Sequence, residues 1–128
     1  MARADPRTLG SDAEQLAAAY LERHGATLIE RNFRCRLGEI DIIAADGECL
    51  AFVEVRYRGT GSFSSAGPTV DRRKQSKLIR AASLYVARRA NASNQVMRFD
   101  VVAIDADETG NFSIEWIRDA FRPVDSRL

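Results

Sequence analysis

The sequence predicts an α/β domain of the order helix, three strands, helix, two strands, with a mixed central sheet flanked by helices. Three observations carry this. Two stretches repeat apolar residues at helical spacing, five others are rich in β-branched and aromatic residues, and Asp46-Gly47 between two of the latter is a strong hairpin signal. A length of 128 residues is that of one domain. With 45% hydrophobic and 29% charged residues, the composition excludes a disordered or fibrous chain.

Residues 1–9 read as an N-terminal tail. The first helix runs from Ser11 to His24, with Ala13, Leu16, Ala17, Tyr20 and Leu21 on its apolar face, His24 as a C-terminal cation and Gly25 as a stop. Strands follow at 27–34, 38–45 and 48–57. The segment 59–69 (GTGSFSSAGPT) lacks any apolar period and reads as a mobile loop. The second helix spans about Val70 to Ala90, with Leu78, Ile79, Ala82, Tyr85 and Val86 inward; its length permits a crossover that leaves the flanking strands parallel. Two strands close the domain at 96–105 and 111–117, with Phe112 and Trp116 assigned to the core and Asp100 to a buried pair with Arg98. Cys35 and Cys49 have no metal or redox spacing and read as structural.

The longest apolar run, Leu16 to Leu21, is far short of the ~20 residues a membrane helix needs. No secretory signal stands in the first ten residues, so the protein is expected in the cytoplasm. The net charge of +1 hides a segregation: residues 1–55 carry 6 Lys/Arg against 10 Asp/Glu, residues 56–90 carry 9 against 1, and residues 91–128 carry 4 against 7. A block that basic fits a polyanion footprint; the alternatives are a solvated helix face or an acidic protein partner.

The carboxylates suggest chemistry. With Asp46 and Gly47 central in the turn, Ala45 faces Glu48, Asp41 pairs with Phe52, and Glu39 pairs with Glu54. Asp41 and Glu54 are then diagonal neighbours on one face, with Cα atoms roughly 7–8 Å apart, and can converge on one cation. Glu54 interrupts the run Leu-Ala-Phe-Val-Glu-Val, so it needs Arg56, a metal ion, or both as a partner. Oxygen ligands without histidine or cysteine favour Mg²⁺ or Mn²⁺, ions that neutralise phosphodiester charge and activate water.

Asp41 and Glu54-Val55-Arg56, between a helix containing Glu14 and one containing Gln75, resemble the D…(D/E)xK signature of restriction-endonuclease-like nucleases. GEIDIIA (38–44), FVEVRYR (52–58), RRKQSKLIRAA (72–82) and RFDVV (98–102) resemble, more narrowly, the uncharacterised bacterial YraN family, similar in fold to archaeal Holliday junction resolvases. The resemblance implies a restriction-endonuclease-like core with Asp41 and Glu54 as metal ligands and the Val55 carbonyl as a third oxygen. It brings Glu14 toward the same ion, although Ser11–Glu14 also fits a capping box. It places Asp41, Glu54, Arg56 and Gln75 in the catalytic set, with Gln75 over the carboxylates or serving as a polar cap.

Arg58, Arg72, Arg73, Lys74, Lys77 and Arg80 are the candidate nucleic-acid contacts, with Lys74 nearer the sheet and Lys77 turned away. The implied substrate is nucleic acid, DNA rather than RNA, branched or single-stranded, in recombination or repair; a homodimer follows by analogy with the resolvases. Arg56 departs from the usual lysine, and a guanidinium keeps its proton, so it stabilises charge but does not activate water. An endonuclease, a binding module with impaired turnover and a small protein-interaction scaffold are the resulting readings.

Overall fold

The computed structural model describes residues 6–59, 70–89 and 95–123, with side chains from Asp12 onward. The elements are α1 (Pro6–Arg23), β1 (Thr27–Cys35), β2 (Gly38–Asp46), β3 (Cys49–Arg58), α2 (Arg72–Arg88), β4 (Val96–Ala106) and β5 (Phe112–Phe121). The order is the expected one. Residues 60–69 of the anticipated loop and 1–5 of the anticipated tail lie outside the described residues. Helix α1 starts at Pro6, so Ser11 is an interior helical residue and the capping-box reading of Ser11–Glu14 is set aside. At the other end Gly25 takes φ +100°, the left-handed stop favoured by glycine, and His24 accepts its predicted place there, its Nδ1 2.8 Å from the Tyr20 carbonyl.

The five strands lie in sequence order in one sheet, with β3 and β4 parallel and every other neighbouring pair antiparallel. Helix α2 makes the crossover from β3 to β4 that their parallel pairing requires. Alternation along β3 sends Leu50 and Phe52 to one face and Ala51 and Val53 to the other. The first face packs under Leu78, Ala81, Ala82 and Tyr85 of α2, the second under Ala13, Ala17, Ala18 and Leu21 of α1. Burial on both sides explains why β3 reads as a nearly continuous apolar run.

The hairpin register differs from the expectation. Ala45 pairs with Leu50 and Ile43 with Phe52, so Gly47 and Glu48 form the turn and Asp46 belongs to β2. The cause lies across the sheet. The Asp46 carboxylate is held by Arg98 at 2.7 Å and Arg118 at 3.0 Å, which fixes it as the last strand residue, and Gly47 supplies the positive φ of +61°. The pairing has moved by two residues, one full pleat, so each side chain keeps its face.

Arg98 also meets Asp100, as anticipated, at 2.9 and 2.8 Å. Asp100 is completely buried and accepts further from Trp116 Nε1 at 3.0 Å and the Asp119 N–H at 2.9 Å. Trp116 is thus a polar anchor as well as an apolar one, its ring lying 3.6 Å beneath the Arg118 guanidinium. Phe112, expected in the core, is 53% exposed at the start of the edge strand β5. Among the described residues no helix is long and apolar enough to cross a membrane.

Candidate functional site

The site forms where the β2–β3 ladder ends. The last cross-strand pair there is Ile42 with Val53; one step further, the Asp41 side chain takes the place of a backbone partner, its Oδ2 accepting the Val55 N–H at 2.9 Å. Asp41 and Glu54 therefore come together more tightly than the diagonal arrangement required. Their carboxyls stand close enough for each to shift the other's proton affinity. Val55 contributes its N–H to Asp41 rather than a carbonyl, and stays in the parallel ladder opposite Val102.

Glu54 is only 4% exposed and finds its cation on α2, not in Arg56: Lys74 Nζ stands 2.5 Å from Glu54 Oε1. Helix geometry puts Lys74 there. Asp71 caps α2, its side chain accepting the Lys74 N–H at 2.8 Å, so the lysine leaves the first turn directly above the carboxylate. Lys74 was expected on the sheet-facing side and is found there. Lys77, expected to turn away, lines the same cavity of about 460 Å³ with Arg34, Cys35, Glu39 and the two carboxylates. The β1–β2 turn closes one side: a Cβ on Gly38 would meet the Lys77 carbonyl oxygen at 3.1 Å.

Burial, then the neighbouring charge of Asp41, pushes the Glu54 carboxyl up to about 7, against the pull of Lys74. Burial also raises Asp41, opposed by the Val55 N–H and Lys74. For Lys74, burial works against the ammonium, but the bond to Glu54 and the charges of Glu54 and Asp41 together outweigh it, and its pKa stands above the usual lysine range. Two buried carboxyls whose proton affinities are both raised, with one ammonium alongside, form a site that favours further positive charge.

The remaining predicted residues divide. Gln75 is not aimed at the carboxylates: its Nε2 donates to the Val70 carbonyl at 2.6 Å, which makes it a cap on the chain entering α2. Arg58 is drawn to Asp105 on the adjacent strand at 2.7 Å. Arg72, Arg73 and Arg80 stand exposed along α2. Arg56 is half-buried, and its charge weakens the proton affinity of Lys74.

Glu14 approaches from α1. Burial raises its carboxyl, and the charge of Asp41 adds to the shift while Arg31 counters it. Its orientation comes from Asn32, which the sequence reading missed. With the amide nitrogen turned toward α1, Asn32 donates to Glu14 at 2.8 and 3.3 Å. Asn32 has φ +55° in the middle of β1, between the paired residues Arg31 and Phe33. Asparagine tolerates that left-handed backbone better than other non-glycine residues. The one available signal was an asparagine inside an otherwise strand-like run. Among the described residues no three His, Cys, Asp or Glu side chains stand together as a ready-made metal cage. The close acidic pair is therefore Asp41 and Glu54, with Glu14 outside it.

Residues 13–104 match the profile of the uncharacterised protein family UPF0102. The chain is similar to a UPF0102 protein of Nitrosococcus oceani, 49% identical over 122 residues that cover 95% of this chain and 98% of that one. It is also similar to a UPF0102 protein of Halorhodospira halophila, 49% identical over 120 residues covering 94% and 92% of the two chains. A UPF0102 protein of Pseudomonas putida is 40% identical over 121 residues covering 94% and 98%.

Proposed function

The chain belongs to the uncharacterised protein family UPF0102, and we propose that it is a nucleic-acid-binding protein with Mg²⁺- or Mn²⁺-dependent endonuclease activity, of the restriction-endonuclease-like type, acting on DNA phosphodiesters. The observation that carries this reading is the interacting Asp41–Glu54 pair, which lines one cavity at the foot of the most basic helix. The donor set fits a hard divalent ion: both side chains offer oxygen only, both line one cavity, and both are pushed toward protonation, chiefly by burial, despite the Lys74 ammonium. Asp41 and Glu54 would hold the ion. Such an ion, when bound, neutralises phosphate charge and lowers the pKa of water.

The chain's own residues do the rest. Burial fixes Glu54, and the Val55 N–H fixes Asp41, so neither has to be ordered when the substrate arrives. Lys77 and Arg34 on the cavity wall, with Arg72, Arg73 and Arg80 along α2, attract the phosphate backbone. Glu14, held by Asn32, stands near enough to Asp41 for their charges to interact and keeps that side of the site acidic.

Cleavage assays with purified protein on linear, branched and single-stranded DNA and on RNA, with Mg²⁺, Mn²⁺ or chelator, test the proposal. Activity that needs the ion and disappears in Asp41→Asn and Glu54→Gln, with folding retained, is the expected result; absence of ion-dependent cleavage across the panel defeats it. The competing reading, a binding module with impaired turnover, is favoured by Arg56, whose guanidinium does not give up a proton. Gain of cleavage in Arg56→Lys would select it.

A further inference from the structure

We infer that the Lys74 ammonium is the resident counter-cation of the Asp41–Glu54 pair, displaced when a divalent ion binds and thereby released to a phosphate of the nucleic acid. This rests on the reading of that pair as a cation site.

The exposure of the two partners sets which one moves. The Glu54 side chain is 5% exposed and cannot leave; the Lys74 side chain is 57% exposed and can. The Lys74 backbone is pinned by the Asp71 cap, so the motion is confined to the flexible butylammonium arm. Its Nζ occupies Glu54 Oε1 at 2.5 Å, a carboxylate oxygen that a divalent ion would also need. An ammonium and a dication sharing that oxygen would stand only about 4 Å apart in a half-buried site, where like charges repel strongly. The exchange also improves the charge balance: two carboxylates and one ammonium leave one negative charge, while two carboxylates and a dication leave none.

The released lysine has a destination. Lys77 lines the same cavity one turn along α2, and Arg73 lies beside Lys74 in sequence on an exposed surface, so a phosphate entering there meets a cluster that the exchange has just enlarged. Ion and nucleic acid then promote each other's binding, and by linkage the effect is reciprocal. A fixed structural salt bridge would give neither consequence.

The chain contains only two lysines, Lys74 and Lys77, so selective lysine labelling gives two resolvable side-chain methylene signals in an NMR spectrum. Titration of the full chain with Mg²⁺ at pH 8.5 is expected to move the Lys74 signal to the position of a free lysine. Calorimetry under the same conditions is expected to show Lys74→Met binding Mg²⁺ about tenfold more tightly than the unaltered chain, with Arg88→Met, at the far end of α2, as the control for lost charge. The labelled unaltered protein keeps the test valid if Lys74→Met does not fold. A Lys74 signal that stays in place at Mg²⁺ saturation, or a folded Lys74→Met with no gain in affinity over the Arg88→Met control, overturns the exchange while leaving the cation site standing. Failure of the unaltered chain and of folded Lys74→Met alike to bind Mg²⁺ removes the cation site as well.

Discussion

The Asp41 and Glu54 carboxyls interact with each other at the point where the β2–β3 ladder gives way to side-chain contacts. Two interacting carboxyls in a buried site favour a proton or a cation beside them. Glu54, raised from 4.5 to about 7 by burial and by Asp41, keeps its proton longer in the folded protein than in the unfolded chain.

The sign of the pH dependence follows. A group whose folded pKa is raised contributes stability that is complete below the unfolded value and disappears as the pH rises through the folded one. The ion-free protein should lose about 3 kcal/mol of stability between about pH 4.5 and 7 from this pair. Glu54→Gln, which stays neutral and can still donate to Asp41, should abolish that slope and be more stable than the unaltered protein at pH 8 by about 1–2 kcal/mol. Urea unfolding across that range with chelator present measures both. An unchanged slope in Glu54→Gln would mean that the proton is not shared.

The Arg98 network predicts the opposite kind of effect. Arg98 joins Asp46 on β2 to Asp100 on β4, and Asp100 is fully buried. Arg98→Met leaves a buried carboxylate with, among the described residues, the Trp116 and Asp119 donors, and should cost about 3–5 kcal/mol. Trp116 bonds directly to Asp100, so its fluorescence is the natural probe in a denaturant titration. A loss below about 1 kcal/mol would show that those two donors suffice.

What the sequence made legible follows from how local each signal is. The elements and their order could be read because the apolar period of α2 and the β-branched runs of β2 and β3 are properties of neighbouring residues. The hairpin register could not, because Asp46 is drawn into β2 by Arg98 and Arg118, which lie more than fifty residues away. The shared face of Asp41 and Glu54 was legible despite that error, since a shift of one full pleat preserves faces. The partner of Glu54 was misplaced: its nearest cation in sequence is Arg56, whereas the fold supplies Lys74 from the helix above. Asn32 carried almost no signal, because its role depends on a backbone angle and on a helix that sequence alone does not place against it.

Asn32 allows backbone and side-chain effects to be separated. Glycine accepts φ +55° freely, so Asn32→Gly gains about 0.5–1 kcal/mol of backbone ease and loses about as much with the bond to Glu14. Its stability should therefore change little. Asn32→Val forces a β-branched residue into the left-handed region and should be destabilised by about 2–3 kcal/mol. Loss of the amide donor should raise the Glu14 carboxyl further in Asn32→Gly, because a hydrogen bond to the charged form favours it. Carboxyl-carbon NMR titration reads that shift, and an unmoved Glu14 in Asn32→Gly would show that the amide does not hold it.

The basic face of α2 makes a prediction independent of any ion. Each lysine or arginine that contacts a phosphate displaces condensed counterions, so the logarithm of the binding constant falls linearly with the logarithm of salt concentration. Removing one such contact should reduce that slope by about one unit and weaken binding evenly across sequences. Lys77→Ala and Arg80→Ala, on exposed positions that carry no core packing, should each behave this way, and Arg72→Ala likewise. Arg58→Ala should leave the slope unchanged while costing some stability, because its guanidinium is engaged by Asp105 at 2.7 Å. Fluorescence anisotropy with a labelled oligonucleotide over a salt series, with chelator present, makes the measurement. Binding that ignores salt, or a slope untouched by all three α2 substitutions, would place nucleic acid elsewhere or remove it as a partner.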